Sequence, residues 1–248
     1  MKTVLITGCS SGFGLEIARD FLAKGWRVVA TMRKPRADLL PASDALRILA
    51  LDVTDPDSIR TAVEAAGDID VLVNNAGIGW LNPLEGTGME TVRDLFATNI
   101  FGTIAMTQAV LPQLRRQGSG AVVNVSSSVT LKPLPLLAVY TASKAAVNAF
   151  TESLALELEP LGVRVRLVLP GRAPGTSFGA SARARVGRAG GFPDAYQGVV
   201  QAVFAGRAQD MSDITRPADV VDAVWRAATD PSSPMRIPAG ADAVALAG

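Results

Sequence analysis

Residues 7–14 read T-G-C-S-S-G-F-G and follow a short apolar run, Thr3–Thr7. Beyond them Phe13, Ile17 and Phe21 recur every fourth position, which predicts a helix over Gly12–Lys24 with one buried face. Glycines between a strand and a helix permit a tight turn and let the backbone approach a phosphate, while the helix N-terminus offers free N–H groups. The stretch predicts a strand–turn–helix unit able to hold a dinucleotide, although a purely structural turn has the same composition.

The alternation of strand and helix continues along the chain. Further strands are predicted at Trp26–Thr31, Ala45–Ala50, Ile69–Val73, Ala121–Val125 and Val163–Leu169, and helices at Asp55–Ala66, Thr103–Arg116, Ala138–Glu159 and Pro217–Ala228. The strands are apolar almost throughout, as expected of parallel strands covered on both faces. The pattern predicts an α/β fold over residues 1–248: a single Rossmann-type doubly wound parallel sheet flanked by helices. Residues 171–215 are expected to form a short helical substrate lid within it.

The composition excludes several kinds of chemistry. The 248 residues contain no histidine and one cysteine, Cys9, so no Ser-His-Asp triad exists and a zinc site is not expected. No other metal is expected, and any acid/base group must be Tyr, Lys, Asp or Glu. With 24 basic and 23 acidic residues, the charge balance gives no electrostatic case for nucleic acid. No apolar run is long enough to predict a membrane span, and a lone cysteine fits a cytoplasmic location.

Tyr140 and Lys144 lie four residues apart on a predicted helix and therefore project from one face. A free tyrosine has a pKa of about 10, and an ammonium group one turn away is expected to lower it. Such a tyrosine can exchange a proton with a carbonyl oxygen, which Ser127, just after a strand, can hydrogen-bond. Taken alone, the pair could equally be surface neighbours and the serines a strand-end turn; residue chemistry does not separate Ser127 from Ser126 or Ser128.

Taken together, these motifs resemble the short-chain dehydrogenase/reductase family along nearly the whole chain. The glycine spacing of residues 8–14, N-N-A-G at 74–77, Asn99, Ser127, the Y-x-x-x-K motif at 140–144 and P-G at 170–171 occur in the family's order. The resemblance implies an oxidoreductase that interconverts a ketone or aldehyde and an alcohol by hydride transfer, with Tyr140 as general acid/base. It also implies that Asn99 distorts its helix and holds a water linked to Lys144. The alternatives are a dinucleotide-binding sensor without turnover and a lyase or epimerase.

The resemblance further implies which residues hold the dinucleotide. They are Gly8, Ser10, Ser11, Gly12, Phe13, Gly14, Arg33, Asp52, Val53, Asn74, Ala76, Gly77, Tyr140, Lys144, Pro170, Gly171 and Thr176. Thr176 stands one residue later than the family's threonine. At the end of the second strand, Met32 replaces the acidic residue that would bind a ribose 2′-hydroxyl, and Arg33 follows. A guanidinium suits a phosphate, so NADP(H) is expected, with NAD as the alternative; a solvated basic turn is the other interpretation.

Apolar residues surround the predicted catalytic tyrosine and cover two of the helices. Those near the site are Leu131, Leu134, Leu136, Leu137, Trp80, Leu81, Phe178, Phe192 and Tyr196, and those on the helices are Ile104, Ala109, Val110, Leu114, Ala145, Ala149 and Leu156. The first set predicts an apolar carbonyl or alcohol substrate, although it could equally be core. The second set predicts a homodimer or homotetramer, because the resemblance implies pairing of these helices across a two-fold axis; if they only face the sheet, a monomer results.

Overall fold

The computed structural model describes residues 1–209 and 214–248, and seven strands of the described chain form one sheet. The strands are β1 (Thr3–Ile6), β2 (Arg27–Met32), β3 (Leu46–Ala50), β4 (Val71–Asn74), β5 (Gly120–Val125), β6 (Val163–Pro170) and β7 (Arg236–Ala239). They lie in the order β3-β2-β1-β4-β5-β6-β7, and every neighbouring pair is parallel. The predicted doubly wound parallel sheet is confirmed, and its order reverses direction between β1 and β4, where such sheets bind ligands.

Helices cover both faces of the sheet. They are α1 (Gly12–Ala23), α2 (Pro56–Ala66), α3 (Met89–Phe96), α4 (Gly102–Gln117), α5 (Ala138–Leu158), α6 (Ser177–Arg188), α7 (Gln197–Gln209), α8 (Pro217–Thr229) and α9 (Ala241–Ala247). Strand side chains alternate between faces, so Val4 and Ile6 of β1 pack with α1 and α8, whereas Leu5 packs with α2, α4 and α5. All three are fully buried, and each stabilises the fold by roughly 1.5–3 kcal/mol.

Several elements were not predicted, namely α3, β7 and α9. β7 has four residues, one of them Pro238, and it lies at the sheet edge, where a missing N–H is tolerated. The predicted lid contains α6 and α7; its residues 210–213 lie outside the described part of the chain.

The helical run Met89–Gln117 is long and apolar enough, by length and composition, to cross a membrane. It combines α3, a π-helical turn (Ala97–Phe101) and α4. Its buried residues belong to the protein core, with Met106, Val110 and Leu114 packed among side chains of β4 and β5. Core packing accounts for these buried apolar residues, while Met89 and Phe101 of the same run are exposed. It also corrects the assignment of Val110 and Leu114 to an outward surface, because both side chains face the sheet.

Candidate active site

The turn between β1 and α1 depends on its glycines. Gly8 and Gly12 have φ of 77° and 59°, in the left-handed region that favours glycine. A Cβ on Gly8 would lie 2.9 Å from Cα of Ala76, and one on Gly14 would overlap the carbonyl oxygen of Gly8. Ser11 is the N-cap residue of α1, but its side chain makes no hydrogen bond to the N–H groups of the first turn. These N–H groups are therefore not occupied by the cap side chain and can bind an anion. The turn fits a dinucleotide pyrophosphate.

The loop after β4 fixes this turn from the other side. Asn75 Nδ2 donates to the carbonyl oxygen of Thr7 at 2.9 Å, and Thr7 Oγ1 accepts from the backbone N–H groups of Asn75 (3.0 Å) and Ala76 (2.9 Å). Asn74 points the other way, and its Nδ2 donates to Asn124 Oδ1 at 2.9 Å inside the sheet. The second asparagine of N-N-A-G thus holds the turn, a role that the sequence analysis did not assign, while the first braces β4 against β5.

A cleft of about 1670 Å³ opens along the carboxyl edge of the sheet. The predicted site residues in its wall are Gly8, Ser10, Ser11, Gly12, Phe13, Arg33, Asp52, Val53, Ala76, Gly77, Ser127, Tyr140, Lys144, Pro170, Gly171 and Thr176. Gly14, Asn74 and Asn99 are not in the wall; they support it through the contacts described here. Ordinary small-molecule sites measure roughly 300–1,000 Å³, so this cleft has room for a dinucleotide and a second molecule.

At one end of the cleft lie Tyr140 and Lys144 of α5 and Ser127, which follows β5. Lys144 Nζ donates to the carbonyl oxygen of Val125 at 2.9 Å, and burial lowers the pKa of Lys144 to about 8. Burial also raises the pKa of Tyr140 to about 12, opposed by a hydrogen bond with Ser127. The predicted lowering of the tyrosine pKa is therefore not found for the protein alone, because loss of hydration outweighs the hydrogen bond with Ser127.

Asn99 lies in the π-helical turn between α3 and α4, where the backbone departs from α-helical bonding. Its Oδ1 accepts from the N–H of Ile78 at 2.8 Å, and its Nδ2 donates to the Ile78 carbonyl oxygen and to Ser143 Oγ, both at 3.0 Å. A Cβ on Gly77 would be 3.3 Å from Asn99 Oδ1 and 3.5 Å from Lys144 Nζ. Asn99 therefore ties the helix to the loop after β4 beside the lysine.

At the other end of the cleft, β2 presents a buried Met32 followed by an exposed Arg33. The carboxylate of Asp52 accepts hydrogen bonds from the hydroxyl of Thr54 (2.7 Å) and from its N–H (2.9 Å). These two bonds, together with the charge of Arg33, lower the pKa of Asp52. Arg36 bonds instead to Asp38 at 2.7 Å. Arg33 is thus the cation that the end of β2 presents to the cleft.

The lid covers the catalytic end with apolar side chains. The ring centroids of Phe178 and Tyr140 lie 5.9 Å apart. A Cβ on Gly79 would be only 2.7 Å from the nearest ring carbon of Phe178, so the glycine leaves room for that ring. Trp80, Leu81, Leu134 and Leu137 share this wall, whereas Leu131, Leu136, Phe192 and Tyr196 are not in it. No cluster of side chains able to hold a metal occurs among the described residues.

Comparison with known proteins agrees with this geometry. The family model described as short chain dehydrogenase matches residues 2–186, and the chain belongs to that family. It is 44% identical over 181 residues to the uncharacterized oxidoreductase YusZ of Bacillus subtilis, covering 68% of this chain and 64% of that protein. It is 40% identical over 181 residues to human retinol dehydrogenase 8, covering 68% of this chain and 58% of that protein. The chain thus spans about three fifths of the length of these curated relatives.

Solved structures share the fold over almost the whole chain. A short-chain dehydrogenase from Streptomyces avermitilis superposes with a TM-score of 0.82 and 33% identity, covering 99% of this chain and 90% of that one. Serine dehydrogenase in a closed form complexed with NADP+ gives a TM-score of 0.80 and 31% identity, covering 96% of this chain and 94% of that chain. The family is one of oxidoreductases that act on small molecules.

Proposed function

We propose that the protein is an NADP(H)-dependent oxidoreductase that reduces an apolar ketone or aldehyde to an alcohol, with Tyr140 as the proton donor. The observation that carries this proposal is a single cleft with a phosphate-binding turn at one end and Ser127, Tyr140 and Lys144 at the other. When bound, the nicotinamide supplies a hydride to the carbonyl carbon. A proton must then reach the carbonyl oxygen, and the chain's own residues provide it.

The protonation states suit reduction. With a pKa raised to about 12, Tyr140 holds its proton at neutral pH and can donate it to the carbonyl oxygen. Lys144, with a pKa of about 8, is still mostly charged and stabilises the phenolate that is left behind. Ser127 hydrogen-bonds the same oxygen and fixes its direction toward Tyr140.

An apolar substrate is supported by the wall beside Tyr140, which includes Trp80, Leu81 and Phe178. Retinol dehydrogenase 8, to which the chain is similar, is named for an apolar alcohol. A substrate of this kind gains affinity in proportion to the apolar area that it buries.

The first test measures NADPH consumption with a panel of apolar and polar ketones. Tyr140→Phe is expected to lower kcat at least about 100-fold while the Kd for NADPH changes less than about twofold, because the phenol serves proton transfer. Tyr196→Phe is the matched control: it makes the same chemical change on the lid, outside the cleft wall, and should retain activity. A Tyr140→Phe enzyme that keeps more than a few per cent of the rate contradicts the assignment. Tight NADPH binding without turnover of any ketone would favour a sensor.

The second test concerns the choice of dinucleotide. Arg33→Asp removes a partner for the 2′-phosphate and adds a repulsive charge, so the ratio of kcat/KM for NADPH over NADH should fall at least about 10-fold. Arg36→Asp makes the same charge change at an arginine paired with Asp38, and we expect a much smaller shift. Equal shifts in both variants would mean that general charge, not Arg33, sets the preference.

A further inference from the structure

The lid leaves the sheet and returns to it at one point. Gly171 and Arg172 begin the lid at the end of β6, and Thr215 is its last residue. Thr215 N–H donates to the carbonyl oxygen of Arg172 at 2.9 Å, and the N–H of Gly171 donates to Thr215 Oγ1 at 2.9 Å. Backbone and side-chain bonds therefore join the two ends of the segment.

Asp242, in the first turn of α9, binds both of these ends. Its Oδ2 accepts from the N–H of Arg172 at 2.5 Å, and its Oδ1 lies 2.7 Å from Thr215 Oγ1. The same hydroxyl is 2.8 Å from the carbonyl oxygen of Ala239. Because the hydroxyl has one proton, it donates either to Asp242 Oδ1 or to the Ala239 carbonyl oxygen at any time. We call Gly171, Arg172, Thr215 and Asp242 the latch.

The latch has no spare room. A Cβ on Gly171 would overlap the carboxylate of Asp242, and a Cβ on Gly240 would overlap the side chain of Thr215. Thr215 is 2% exposed, so its hydroxyl has little access to water as an alternative partner. A bond from a backbone N–H to a carboxylate is stronger than one between neutral groups. The two ends are therefore held in one arrangement.

The latch also forms part of the cleft wall. Asp242, with Ala245 and Leu246 of α9, lines the cleft together with Gly171 and Arg172. Thr215 and Asp242 lie beyond residues 2–186, which the family model matches. The carboxylate thus connects α9 to the turn after β6, which is part of the cleft wall.

We infer that Asp242 and Thr215 are positioning residues, which hold the Pro170–Gly171 edge of the cleft wall and the start of the lid in the arrangement that binds the dinucleotide. This inference rests on the proposed function. A positioning role predicts weaker NADPH binding when the latch is broken. A role in stability alone predicts less folded protein, with unchanged Kd and KM in the molecules that remain folded.

The experiment compares Thr215→Val, which removes the hydroxyl at nearly constant shape, with Thr215→Ser, which keeps it. Thr215→Val is expected to raise the Kd and the KM for NADPH about 10-fold, with kcat reduced less than about threefold, as the loss of one or two hydrogen bonds implies. Thr215→Ser should bind NADPH within about threefold of wild type. Asp242→Ala should raise the Kd and the KM for NADPH as Thr215→Val does. Asp222→Ala, on the exposed side of α8, should leave both unchanged.

Limited trypsin digestion gives a readout that needs neither turnover nor cofactor. The lid carries Arg183, Arg185 and Arg188, and Thr215→Val should be cut there several times faster than wild type or Thr215→Ser. Equal cleavage rates and equal Kd values in Thr215→Val and wild type would overturn the inference. If wild-type protein fails to bind NADPH, the proposed function fails, and the digestion without cofactor still decides whether the latch holds the lid.

Discussion

Lys144 keeps an ammonium group in the protein interior, where the side chain is 5% exposed. Burial lowers its pKa from 10.5 to about 8, and such a shift corresponds to about 3 kcal/mol of stability lost while the group is charged. Below pH 8 the group is protonated in both the folded and the unfolded state, so the cost is fully present. Between pH 8 and the usual lysine value the unfolded chain holds the extra proton, so stability rises with pH.

Lys144→Met is therefore expected to abolish turnover yet raise the free energy of unfolding at pH 7 by about 1 kcal/mol. The gain is less than the full cost because the carbonyl of Val125 loses its donor. Urea unfolding should show this difference from wild type falling by about 2 kcal/mol between pH 7 and pH 9.5, so that wild type is the more stable protein at pH 9.5. Lys34→Met, at an exposed lysine, should show no such trend. A difference that stays constant with pH would contradict the burial explanation.

Motif spacing predicted the turn at residues 7–14 and the pair Tyr140 and Lys144, because one turn and one helix set their positions, whereas Ser127, after β5, was distinguished from its neighbours only by the family resemblance. It could not predict the direction of the Tyr140 pKa. That direction depends on how far packing by the lid and neighbouring loops removes water, and a linear sequence does not contain this information. The N-N-A-G motif likewise does not indicate that Asn75 holds Thr7, because this contact arises only when β4 pairs with β1.

The elements differ in how far local sequence determines them. β1, β4 and β5 are apolar runs between turns, and their pairing follows from the parallel fold. β7 has Arg236 at one end and Pro238 inside, so its place depends on pairing with β6 and on packing of Ile237 and Ala239 in the core. α6 has few apolar positions, with Ala182 and Val186 as its buried residues, and so weak a period predicts a helical lid without giving the bounds of the helix. Tertiary contacts decide both elements.

At the scale of the whole molecule, exposed apolar side chains occur at several places, and some of them lie on α5 and just before α4. Leu156 of α5 is 74% exposed and Phe101, just before α4, is 62% exposed, while Ala145 and Ala149 of α5 are also exposed. Isolated exposed apolar residues are common, but a set on adjoining helices fits a surface that a second copy covers.

We expect light scattering at micromolar concentration to give a dimer or a tetramer. Leu156→Glu should shift the mass toward 25.8 kDa, because it places a charge in a surface that would be buried. Leu84→Glu, at a residue 66% exposed outside these helices, is the control and should keep the mass of wild type. A wild-type mass near 25.8 kDa together with full activity would reject the oligomer.

The hydrogen bond from Thr215 to Arg172 gives the lid a further property, which concerns its length. Because the segment starts and ends at one anchored point, it behaves as a closed loop attached to a rigid frame. The entropy lost in closing a flexible loop grows only with the logarithm of its length, so doubling it costs roughly 0.6 kcal/mol. Lengthening this segment by a flexible insertion is therefore expected to cost the fold little, which makes it a place to test longer substrate loops.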